Sequence, residues 1–82
     1  MKIEQAFATV LKRERLRKAL TQEQLASACS CHTTYISLME RGKKNPSLKI
    51  LFCLSQALEL SYADFSKLIE QEIVKQYSVL SR

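Results

Sequence analysis

Apolar residues recur along this chain at helical spacing, in five runs separated by short polar breaks. Ile3, Phe7, Val10, Leu11 and Leu16 mark an amphipathic helix over residues 3–18 with a basic outer face. Thr21 opens a second run: Thr21-x-x-Gln24 is a capping-box pattern, in which the Thr oxygen takes a first-turn N–H and Gln24 reaches back. That helix ends near Ala28. After the turn Cys29-Ser30-Cys31, a third helix opens at His32 or Thr33, points Ile36 and Met39 inward, and ends at Gly42, whose left-handed backbone suits a C-terminal cap. Lys43-Lys44-Asn45-Pro46 is a polar loop. Ser47 is a good N-cap for a fourth helix with Leu48, Leu51, Leu54 and Leu58 along one side, and Ser61-x-x-Asp64 caps a fifth carrying Phe65, Leu68, Ile69 and Ile73 towards Tyr77. Helices this short are unstable alone, so the five must share one core.

Composition agrees. One Gly and one Pro in 82 residues are too few for a β-rich fold, and a 46% apolar fraction is that of a folded protein rather than a disordered one. The expectation is an all-α single domain over residues 1–82. No apolar run reaches the ~20 residues of a membrane span, and the N-terminus lacks a signal-peptide layout, which predicts a cytoplasmic protein with reduced thiols at Cys29, Cys31 and Cys53.

Net charge is +5, and it is unevenly placed. Residues 1–20 carry six Lys/Arg against two Glu, residues 21–47 three against two, and residues 48–82 four against four. The first half therefore offers a surface for a polyanion, and the neutral second half has another task.

Three pieces in order then become recognisable: Leu20-Thr21-Gln22-Glu23-Gln24-Leu25-Ala26, Ile36-Ser37-x-x-Glu40-Arg41-Gly42, and Pro46-Ser47-Leu48-x-x-Leu51. Together they resemble the XRE family (lambda-repressor and Cro type) of helix-turn-helix regulators, across Arg15 to about Leu60. Thr34-Tyr35-Ile36-Ser37 and the short length are most similar to the controller proteins of restriction–modification systems. The resemblance implies a compact five-helix fold with the helix-turn-helix at residues 21–42, and a transcriptional regulator binding operator DNA. It places base reading at Thr33, Thr34, Ser37 and Leu38, and a structural salt bridge at Arg15 and Glu40.

The residues support this on their own terms. Two helices joined by a tight turn leave the second projecting, where its first residues can enter the major groove. Thr hydroxyls can donate or accept at base edges, and Thr methyls or Leu38 can meet a thymine methyl. Gln22 stands at a helix N-terminus suited to a phosphate, the Tyr35 hydroxyl can reach another, and Arg41, Lys43, Lys44 and Asn45 follow the projecting helix, where they can grip the DNA backbone. Ser30 and Ala19 stand where the family commonly has Gly, and Thr33 where controller proteins tend to carry Arg. A reading face without Arg shifts affinity to the basic flanks and to dimerisation, and gives DNA shape a larger part in specificity.

One such module reads few base pairs, so a homodimer on a pseudo-palindromic operator is expected. The extended C-terminal helix, residues 62–79, is its expected interface, through Ile69, Ile73, Tyr77 and Leu80. RNA polymerase becomes a further partner if the protein activates transcription. No cofactor, metal site or enzymatic activity is expected: His32 is the lone His, and Cys29-x-Cys31-His32 falls short of the four ligands a structural zinc needs. Two other readings use the same residues: a protein-binding adaptor or antitoxin-like partner on this fold, and a thiol switch at Cys29 and Cys31.

Overall fold

The computed structural model describes residues 3–80, with side chains to residue 76. Five helices follow in order: α1 (Ile3–Arg17), α2 (Gln22–Ala28), α3 (Thr33–Glu40), α4 (Leu48–Ala57) and α5 (Tyr62–Leu80). α1 lies between α3 and α5, α2 packs against α3, and α4 closes the far side against α2 and α5. Their shared core is built from Phe7, Val10, Leu11, Leu25, Ile36, Met39, Leu54, Leu58 and Phe65, all buried. Phe7 and Phe65 meet edge to face at 6.2 Å, so the first and last helices are pinned to each other by aromatic packing.

Side-chain caps start three of the helices. Thr21 Oγ1 accepts from Gln24 N at 3.0 Å while Gln24 Oε1 accepts from Thr21 N at 2.9 Å. Ser47 Oγ accepts from Ile50 N at 3.1 Å, and Ser61 Oγ from Asp64 N at 3.0 Å. At α3 the N-cap is His32, and its side chain makes no capping hydrogen bond.

All four helix ends before α5 close in the same way. The chain turns through a left-handed residue at Ala19 (φ 56°), Ser30 (φ 52°), Gly42 (φ 71°) and Glu59 (φ 60°). Each is followed by an N–H that returns to a carbonyl five residues back: Leu20 to Arg15, Cys31 to Ala26, Lys43 to Leu38 and Leu60 to Ser55. This is the Schellman arrangement, which satisfies the free carbonyls of a helix end. Only one of the four turns has the glycine that suits it.

Three apolar positions depart from the pattern read above, beginning with Ile3, which is 60% exposed at the start of α1. Leu16 is 57% exposed, because the inward stripe of α1 continues at Glu14 and Arg15, three and four residues after Leu11. Those two charges are buried because each is paired. Glu14 accepts from Arg13 at 3.3 Å and lies 3.6 Å from Arg17, while Arg15 pairs with Glu40. Arg13 also reaches the buried Glu72 of α5 at 3.3 Å, joining the two helices. Leu48 is 74% exposed, since it and Phe52 lie on a side of α4 turned away from Leu54 and Leu58.

Candidate nucleic-acid interface

The crossing of α2 and α3 is set by Leu25 and Ala26 on one helix and Ile36 and Met39 on the other, all essentially buried. Ala26 leaves room for close approach. α3 then turns its other side outward: Thr34 is exposed, and Thr33, Ser37 and Leu38 are half-buried along the same surface. The four residues expected to read bases thus lie together, with Thr34 the most open of them.

One carboxylate holds this helix in place. Glu40, the last residue of α3, takes a fork of two bonds from Arg15, through Nε and through Nη2 at 3.0 Å. Gln22 Nε2 donates to the same carboxylate at 3.1 Å, and Arg15 Nη1 donates to Leu20 O at 2.7 Å. α1, α2, α3 and the loop between the first two therefore converge on a single network. The bond to Glu40 raises the Arg15 pKa above its ordinary value, against the opposing effect of burial. The Gln22 amide, expected at a phosphate, is already tied to Glu40 through one donor, leaving its second N–H for any ligand.

The loop after α3 carries the exposed Arg41, Lys43, Lys44 and Asn45. Tyr35 braces it: the phenol donates to Asn45 O at 3.0 Å. In this structure its proton is therefore engaged with the loop, where it supports Asn45. Arg41 Nε reaches back to Ser37 O at 3.4 Å. Gln5 of α1 lies against Gly42 at the root of this loop, a neighbour that no spacing in the sequence announces.

Of the residues expected at a dimer surface, Ile69 is only 9% exposed and packs into the chain's own core, while also bordering an apolar recess with Ile3, Leu51 and Ile73. Ile73 is half-buried beside it. The side chains of Tyr77 and Leu80 lie outside the described residues. Further open apolar surface is formed by Leu48, Phe52 at 52% exposure, and Tyr62, whose ring stacks on Phe52 at 6.2 Å, with Val74 further along α5 and Ile3 exposed beside Ile69 and Ile73.

Among the described residues no group of three side chains is arranged to hold a metal ion. The three thiols gather where the α2–α3 turn meets α4, with Cys29 in the core and Cys31 and Cys53 packed at its edge. Burial, together with the neighbouring Cys53 and Cys31, pushes the Cys29 thiol up to about 11. No described helix is long and apolar enough to cross a membrane.

A short α2, a tight turn and a projecting α3 locked to its scaffold define a helix-turn-helix protein. The chain belongs to the helix-turn-helix family, whose sequence profile matches residues 11–65. It is 41% identical over 59 residues to the control protein C.BamHI of Bacillus amyloliquefaciens, across 71% of this chain and 73% of that one. Among solved structures it resembles the clp gene regulator ClgR of Corynebacterium glutamicum, with a TM-score of 0.91 at 27% identity over 99% of this chain and 86% of that one. It also resembles the restriction–modification controller protein C.Esp1396I, solved as a tetramer on its natural 35 base-pair operator. That match has a TM-score of 0.81 at 34% identity and covers 90% of this chain and 97% of the other.

Proposed function

We propose that this chain is a sequence-specific transcriptional regulator of the controller type, which docks α3 in the major groove of operator DNA as a homodimer. The observation that carries the reading is the outward face of Thr33, Thr34, Ser37 and Leu38 on a helix clamped through Glu40, next to a loop with three cations. A helix clamped at its C-terminal end keeps its axis fixed on binding while its first turn fits the groove, and the loop supplies charge for the backbone. Gln22, Arg41, Lys43, Lys44 and Asn45 are the phosphate contacts, with Tyr35 acting through the loop. The two-fold contact is formed by Leu48, Phe52 and Tyr62, with Ile73 and the end of α5 adjoining it. RNA polymerase is a partner only if the bound dimer activates.

Selection of bound sites from random duplexes tests this. The expected sites contain two inverted half-sites, and Thr34→Ala should weaken the selected duplex by about 1–3 kcal/mol while sparing a scrambled one. Sedimentation should show a dimer that Phe52→Asp dissociates. Selection that enriches nothing, with no dependence of binding on salt, would rule the reading out in favour of a protein-binding role for the same fold.

A further inference from the structure

The Gln5 side chain sits where α1 meets the end of the recognition helix. A Cβ placed on Gly42 would lie 2.5 Å from Gln5 Nε2, 3.0 Å from Cδ and 3.3 Å from Oε1, so the amide lies against the glycine with its nitrogen nearest. Gly42 is the left-handed residue that turns the chain out of α3 into Lys43, Lys44 and Asn45. The missing side chain has two consequences: it permits the turn, and it admits the amide of another helix. Gln5 is nonetheless exposed, and among the described residues its amide makes no hydrogen bond within the chain. An amide with unspent donors thus borders the recess lined by Lys43, Lys44 and Asn45.

Glu4 lines the same recess, so the charges there are two ammonium groups against one carboxylate, a net of +1. Two primary amides and a net single positive charge suit a singly charged oxyanion with several acceptor oxygens. A backbone phosphodiester is that kind of ligand, and α3 lies directly alongside. We propose that Gln5 completes, with Lys43, Lys44 and Asn45, a seat for one DNA backbone phosphate at the end of the recognition helix. The proposal rests on the DNA-binding reading above. In it, α1 touches DNA itself, and Gly42 leaves room for the Gln5 amide beside the seat.

The test is binding of the selected duplex and a scrambled duplex across a salt titration, with Tm measured for every variant. Gln5→Ala should weaken both duplexes alike by about three- to tenfold, the loss of a hydrogen bond to a charged acceptor softened by solvent. It removes no charge, so the slope of log affinity against log salt should stay as in the parent, whereas Lys44→Ala should reduce the slope by about 0.9. Gln5→Glu should bind more weakly than Gln5→Ala at the same Tm, because it turns a donor into a repelling carboxylate. Gln5→Lys should recover binding and steepen the slope. If the parent binds with its sequence preference and neither Gln5→Ala nor Gln5→Glu changes affinity by more than about twofold, the seat is absent while the DNA-binding reading stands. A loss on the selected duplex alone would also overturn it, since that marks a base contact. A parent that prefers no sequence overturns the reading and the seat together.

Discussion

Replacing Ala19 and Ser30 with glycine should stabilise this protein, although neither change adds a contact. Both residues hold φ above 50° at the residue that ends a helix. The left-handed region costs an L-residue roughly 1–2 kcal/mol that glycine does not incur. Glycine also gives the unfolded chain more freedom, which takes back about 0.4–1 kcal/mol. Both side chains are exposed, so little packing is lost, and each substitution should yield a net gain of about 0.5–1 kcal/mol. In a domain of this size that corresponds to a rise of about 2–8 °C in Tm. The two sites share no hydrogen-bond partner, so the double variant should gain the sum to within about 0.5 kcal/mol.

Two controls sharpen the test. Glu59→Gly should gain less than Ala19→Gly, because it also removes an exposed ion pair with Lys18 at 3.2 Å, of the kind worth about 0–1 kcal/mol. Gly42→Ala runs the comparison in reverse and should lower Tm through strain at φ 71°, while the exposed Gln5 amide can swing aside. Calorimetry on the four variants decides the matter. The reasoning is refuted if Ala19→Gly and Ser30→Gly leave Tm unchanged or lower it while both proteins stay folded.

Three further outcomes are expected. Arg15→Met strands the buried Glu40 carboxylate with Gln22 alone and should cost about 3–5 kcal/mol by urea unfolding, with much of the loss restored by adding Glu40→Leu; a single-variant loss below about 1 kcal/mol would contradict the clamp. At pH 8, a Cys29 thiol raised to about 11 carries about a hundredfold less thiolate than one at the ordinary 9.0, so the native protein should be alkylated there far more slowly than in urea, and equal rates would show the thiol to be open. The bond from Gln76, with Lys75 and Arg13 nearby, lowers the Glu72 pKa; a folded value below the unfolded one gives stability that is present above the unfolded value near 4.5 and lost as pH falls through the folded one. Glu72→Gln should therefore lose less stability than the parent between pH ~6 and ~3, and parallel declines would remove Glu72 from the account.

Local chemistry was legible in the chain to the extent that its partners lie within one helical turn. Thr21 with Gln24, Ser47 and Ser61 announce their helices because a cap needs only the residues that follow it. The helix-turn-helix could be read for a similar reason, since its elements are short, consecutive and patterned. What escaped notice depends on contacts between distant segments. Glu14 and Arg15 occupy inward positions of α1, where apolar residues would be expected. Periodicity alone therefore continues the stripe at Leu16; the Arg15–Glu40 pair follows from the family resemblance, whereas the partners of Glu14 appear only in the folded arrangement. Glu59 is no turn residue by type, and its left-handed backbone follows from the closure of α4 by Leu60 N on Ser55 O. Ile69 and Ile73 satisfy a helical stripe equally well whether it faces a core or a partner. Periodicity identifies an apolar face without saying what covers it.

The Glu40 network adds polar ties to the apolar anchoring of the eight-residue α3. Ile36 and Met39 are its buried residues, and a helix of this length would not persist by itself in water. Its N-terminal end is capped by position but not by a side chain, so the end expected nearest the bases is the less constrained one. Its C-terminal end carries the bidentate Arg15 fork, the Gln22 amide, the Schellman turn at Gly42 and the Gln5 amide above it. Constraint is therefore concentrated at one end of α3. A helix held at its far end can adjust Thr33 and Thr34 to a groove while its axis stays fixed. On the proposed reading, that distribution suits a small neutral face that would rely on fitting DNA shape as much as on individual base contacts.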